Sequence, residues 1–190
     1  MRRRIVTSLA VLGAFAALSA QEKPSEQFWN ELQKHCGKAY EGTVTRGAKE
    51  GDQFSGELLL MQVLDCKENG IKIPFYVGED SSRTWVLTRG TDGRLKLKHD
   101  YRLQDGTPDK VTQYGGQSTN YGFKTQQIFP ADLETANLIA YASGNVWWID
   151  LDEKSFSYSL RRIGQDRVFT VRFDLTRPVE TTRTPWGWDK

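Results

Sequence analysis

Two histidines and two cysteines are the side chains of this 190-residue sequence best suited to chemistry near neutral pH. His99 stands in RLKLKHDYRL, where Leu95, Leu97, His99, Tyr101 and Leu103 share one parity and Arg94, Lys96, Lys98, Asp100 and Arg102 take the other. Alternate side chains of a half-buried strand face opposite sides, so His99 goes with the leucines toward the core. An imidazole among leucines must be hydrogen-bonded or must coordinate something. Its ordinary role is that of a core histidine satisfied by a neighbouring tyrosine or carboxylate. Its sharper role is to hold a ligand or to do acid-base chemistry on one. Asp100 cannot complete a dyad with it, because neighbours on a strand point to opposite faces.

Other residues add chemistry around that strand. Arg83 follows Asp80, Ser81 and Ser82, and its guanidinium with the turn amides suits an anionic group at a barrel mouth, against the commoner reading of a solvated hairpin arginine. No GxSxG elbow exists to make a serine the nucleophile. Tyr114, Gly115 and Gly116 permit either a close backbone approach or a bulge. Of the six tryptophans, Trp85, Trp147 and Trp148 are candidates to line a pocket, although core packing accounts for them equally well. The candidate ligand site is therefore His99, Tyr101, Trp85, Tyr158 and Arg83. No cofactor motif and no metal-ligand set is present. Cys36 and Cys66, an even pair in a chain with an export signal, are expected to form a disulfide, and a metal site made of these thiols and His35 lacks a fourth ligand.

The elements that must position these groups are strands. IKIPFYVG, the turn EDSS, RTWVLTR, the turn GTDG and RLKLKHDYRL form a meander. Before it come AYEGTVTR and one long strand, FSGELLLMQVLDC. After it come TPDKVTQYGG as a further strand, a loop over 117–122, the strand KTQQIFP and a short helical crossing in PADLETANL. The chain then returns through NVWWIDLD, SFSYSLRR and RVFTVRFDL. A helix is expected in SEQFWNELQKHCG, with Ser25 as N-cap and His35 and Cys36 in its last turn. The Trp186-Gly187-Trp188 tail is expected to plug a barrel end. Eight to ten strands joined by local hairpins give an all-β antiparallel meander that closes into a barrel with a short N-terminal helix, the alternative being a two-sheet sandwich.

MRRRIVTSLAVLGAFAALSAQ opens the chain as an export signal, with its apolar run from Ile5 to Leu18 too short for a membrane anchor. Cleavage is expected after Ser19 or Ala20. The organisation is a signal over 1–20, an N-terminal segment and helix over 21–38, a barrel over 39–178 and a tail over 179–190. The formal charge of +2 comes from 26 basic and 24 acidic residues. Loss of Arg2, Arg3 and Arg4 leaves 23 against 24, a charge of −1 that provides no field for nucleic acid. Periplasmic or secreted localisation follows, with no membrane span once the signal is removed.

From Tyr40 to Leu175 this layout resembles the lipocalin and fatty-acid-binding-protein type of barrel, the calycins. PFYVGEDSSRTW, LKHDYRLQDG and TQYGG look like an uncharacterised family of secreted bacterial proteins. GKAYEG is similar to the start of lipocalin-like barrels, with Tyr40 where tryptophan is usual. The haem-binding nitrobindin motif is absent, so no functional residue carries over. One functional class is a non-catalytic carrier or sensor of a small apolar or amphiphilic molecule. The other classes are a barrel enzyme using His99 and a structural envelope protein, and an open interior separates the last from the first two.

Overall fold

Alternation of apolar and polar residues makes most of this chain strand, and one helix stands at its start. A computed structural model describes residues 21–188, so the expected export signal and the last two residues of the tail lie outside the described part. Helix α1, Pro24–Gln33, carries proline at its first position and is N-capped by Lys23. Because Pro24 takes the first position, Ser25 falls inside the first turn rather than at the cap. Its buried hydroxyl donates to the Gly93 carbonyl at 2.7 Å. His35 and Cys36 lie in the turn that follows the helix rather than in its last turn, and Gly37 at φ +80° ends that turn.

The strands are β1 (Ala39–Arg46), β2 (Leu59–Gln62), β3 (Leu64–Lys67), β4 (Gly70–Val77), β5 (Asp80–Arg89), β6 (Leu95–Tyr101), β7 (Tyr114–Gln117) and β8 (Gln126–Pro130). A short helix α2 (Leu133–Leu138) crosses to β9 (Asn145–Leu151), β10 (Ser155–Arg162) and β11 (Val168–Asp174). They form one antiparallel sheet in the order β7-β6-β5-β4-β2-β1-β11-β10-β9-β8, with β3 paired to β4. A single path of this kind is a nearly closed barrel, not a sandwich.

Several expected boundaries move. The long FSGELLLMQVLDC strand is broken into β2 and β3, which raises the strand count to eleven. Residues 53–56 turn instead of extending, leaving Leu58 52% exposed. Val63 leaves the ladder to donate its N–H to Lys38 and to accept from Gly37. Of TPDKVTQYGG only the last three residues are strand, β7 running on to Gln117 of the expected loop, because the Asp109 N–H returns to the Tyr101 carbonyl and its carboxylate accepts from the Val111 amide. The β4–β5 turn is Gly78–Glu79, not EDSS, since Val77 pairs with Asp80 and Gly78 takes φ +52°.

One end of the barrel is filled. Phe28 and Trp29 are 0% and Leu32 is 1% exposed, packed with Ile71, Leu87, Leu95 and Leu151 in the core. The Cys36–Cys66 disulfide, with Cα atoms 6.2 Å apart, ties the segment after α1 to β3 at this end. The tail does not plug the barrel but runs down its outer wall. Val179 pairs with Ala39 over Leu60 and Tyr76, Arg183 donates to the Gly78 carbonyl, and the Trp186 N–H reaches Ser81. Outward-facing apolar residues of β2 and β4 give the tail its seat.

The two edge strands, β7 and β8, meet without a ladder. Thr135 of α2 clips the seam, its hydroxyl accepting from the Gly115 N–H at 2.7 Å and donating to the Gly115 carbonyl at 2.8 Å. Lys98 adds ion pairs to Asp132 and Glu134. A Cβ on Gly116 would lie 1.7 Å from the Pro130 carbonyl oxygen, so only glycine lets the edges come this close. The Tyr114-Gly115-Gly116 motif is thus the barrel's closure.

Candidate functional site

The end of the barrel opposite α1 is open. A pocket of about 420 Å³ enters there, and all five residues proposed from the sequence, Arg83, Trp85, His99, Tyr101 and Tyr158, line it. Register explains the grouping: Trp85 is paired with His99 and Arg83 with Tyr101 across β5 and β6. Tyr158 comes from β10, and its ring stacks on Trp85 at 4.4 Å. Phe75 stacks on the same indole at 4.8 Å. These stacked rings form the pocket wall, and the filled core lies behind them.

His99 is 3% exposed and both ring nitrogens are engaged. Nδ1 lies 3.0 Å from the Tyr114 carbonyl, which can only accept, so Nδ1 carries the hydrogen. Nε2 then accepts from the Tyr158 hydroxyl at 2.7 Å. Burial pushes the imidazole down to about 4, with the Lys98 charge acting in the same direction and the Tyr114 carbonyl opposing it. His99 is therefore neutral at pH 7, stacked on Tyr114 at 4.4 Å, and is the core histidine satisfied by a tyrosine. Burial likewise raises Tyr158 and Tyr114 far above the usual phenol value. At pH 7 these groups form a neutral hydrogen-bonded wall.

Asp100, on the outward parity of β6, organises the segment that carries Tyr114. It accepts from Arg102, from the Thr112 hydroxyl at 3.3 Å and from Gln113 at 3.0 Å. Gln113 takes φ +60° and its N–H returns to the His99 carbonyl. That turn aims the Tyr114 carbonyl at the imidazole. Nothing in the alternation of RLKLKHDYRL reveals this role, which arises from a turn ten residues later.

The structure corrects two proposed members of the apolar face. Trp148 faces outward, because Trp147 and Trp148 are consecutive on β9 and only Trp147 lines the pocket. Leu103 lies past the end of β6 and is 46% exposed. Five polar residues of the lining were missed, Gln53, Asn145, Arg162, Gln165 and Arg167, and a signal for the two arginines was present. Arg162 continues the parity of Phe156, Tyr158 and Leu160, and Arg167 that of Phe169, Val171 and Phe173; both line the pocket. Asn145 accepts from Arg162 at 2.9 Å.

The charge of the pocket is of one sign. Arg83, Arg162 and Arg167 line it and no carboxylate does. A wider depression over β1 and β11 is open to solvent and carries both signs, with Glu41, Glu57 and Asp174 beside Lys154 and Arg172. Among the described residues no group of three His, Cys, Asp or Glu side chains is placed to hold a metal ion. His35, far from the pocket lining, meets the Tyr40 hydroxyl at 2.7 Å, and burial lowers its pKa. Comparison of the chain with protein-family models, with curated proteins and with solved structures finds no match in any of the three.

Proposed function

We propose that this protein binds a small apolar or amphiphilic molecule in the open end of its barrel, outside the cytoplasm. The observation that carries the reading is the pocket of about 420 Å³, walled by stacked aromatic rings with arginine tips at its mouth. Its size falls within the range of ligand sites, and a mostly apolar wall with few polar groups is their usual lining. A structural envelope protein has no need of such an opening. The enzyme reading asks His99 to exchange protons at neutral pH, yet both nitrogens already have partners and burial holds the ring neutral. Binding without turnover is the better account. The disulfide supports an oxidising compartment. Native mass spectrometry of the protein purified from its own host tests the proposal: a mass excess lost on denaturation is expected, and an apo mass with no small molecule in the denatured extract counts against it.

A further inference from the structure

Strand parity places the pocket's charges in one layer. Arg83 is two residues from Trp85, Arg162 two from Leu160 and Arg167 two from Phe169, each one inward-facing step nearer the mouth than its pocket-lining neighbour. Residues two apart on a strand share a face, so an aromatic and aliphatic layer is topped by a layer of guanidinium groups. These are the only charged side chains in the lining.

Two of the three form no direct ion pair. Arg162 donates to the Asn145 side-chain carbonyl and lies over the Tyr141 ring. Arg167 donates to the Gly47 carbonyl at 3.0 Å. Asp52 feels the charge of Arg167, but its own oxygens accept from the Lys49 and Phe54 amides. Among the described residues neither arginine is paired with a carboxylate. The β10–β11 register ends at Leu160 with Phe169 and Arg161 with Val168, so Arg162 and Arg167 stand next in line across the hairpin. Like charges so placed repel, and an anion between them removes the repulsion. Arg83 is paired with Asp80 and Gln53, yet its buried Nε has no partner. A buried donor without an acceptor is a second sign that something is to be accepted there.

The depth of the pocket limits what the anion carries. Phe75, Trp85 and Trp147 line it on the core side, and Phe156, Phe173 and the α1 side chains fill the core with them. A long acyl chain has nowhere to run. A flat ring matches the exposed aromatic faces. We infer, resting on the binding reading above, that the pocket selects a compact aromatic anion whose acid group is held by Arg162 and Arg167 with Arg83, and whose ring enters the aromatic layer.

Titration calorimetry with 2-naphthoate, 2-naphthamide and 2-naphthylmethylammonium varies charge at nearly fixed shape. Naphthoate should bind about tenfold or more tighter than the amide, as a charge-assisted bond requires, and the ammonium weakest. The Arg162→Gln, Arg167→Gln double variant should lose that preference. Hexadecanoate should not compete. Equal affinity for the three probes overturns the anion preference and leaves the binding reading standing, as does a double variant that keeps the preference. Hexadecanoate competing as strongly as naphthoate overturns the size limit. No binding of any probe overturns both this inference and the reading it rests on. The charge series on the unaltered protein decides the question even if the double variant does not fold.

Discussion

The two ends of this barrel are built by one alternation rule and come out opposite. At the α1 end, inward positions are Ile71, Leu87, Leu95 and Leu151, and the helix supplies Phe28, Trp29 and Leu32 to fill the space between them. At the other end the inward positions become Tyr101, Asn145, Arg83, Arg162 and Arg167, and no α1 side chain lines the space. Apolar surface left open would cost burial energy, whereas side chains with polar tips are solvated in place. Parity therefore says which way a side chain faces, and residue class says whether the space it faces is filled.

Three measurements break or sharpen that contrast. Trp29→Ala at the filled end should lower stability to denaturant by about 3–5 kcal/mol, the cost of removing a fully buried indole. Trp29→Phe should be far milder, because the indole N–H has no partner to lose. An effect of Trp29→Ala below about 1 kcal/mol would mean that the helix is not the plug, since surface substitutions stay within roughly half that.

Opening the Cys36–Cys66 bridge, which spans 30 residues of sequence, should cost about 3–4 kcal/mol in the chain-entropy model. Thiol titration of the denatured, unreduced protein should find none free. Two free thiols, or a reduced protein as stable as the oxidised one, would remove the bridge from the account of the filled end.

At the open end the expected effect is smaller and depends on pH. The His99 imidazole titrates at about 4 when folded against 6.5 in its ordinary state, so the unfolded chain takes up the proton first as pH falls. Stability is complete above 6.5 and declines as pH drops toward 4, by about 3 kcal/mol below both values. His35, also lowered by burial, acts in the same direction at the filled end. Denaturant curves between pH 7 and 4 for the protein and its His99→Gln variant isolate the His99 share. Parallel losses in the two would show that this imidazole is not buried and neutral.

How far the sequence could be read follows from the same distinction. Strict alternation in SFSYSLRR and RLKLKHDYRL places Tyr158 and His99 correctly, because a half-buried strand leaves no freedom of parity. The arginines obeyed it too, but a charge at a strand end reads as solvated until the opposite wall is known. Ser25 was misplaced because Pro24 takes the first helical position, and its hydroxyl's partner, the Gly93 carbonyl, is remote in sequence. The tail and the Thr135 clip were illegible for that reason as well: each depends on contacts that only the closed barrel creates. Local pattern yields faces, and closure decides which faces meet.

The order of strands also sets a schedule. β1 pairs with β11, the last strand, matching Gly42 with Phe173, while the loosely clipped seam lies between β7 and β8, neighbours in sequence. Every other pairing on the path joins strands close in sequence, but the β1–β11 ladder joins the first strand to the last and cannot exist until synthesis has passed Asp174. Until then β1 is an exposed edge, open to partners from other chains. Both cysteines are present as soon as Cys66 has been made, so the covalent tie next to β1 can form long before the ladder that finally covers it. Once formed, that tie holds the segment after α1 to β3, next to the waiting strand.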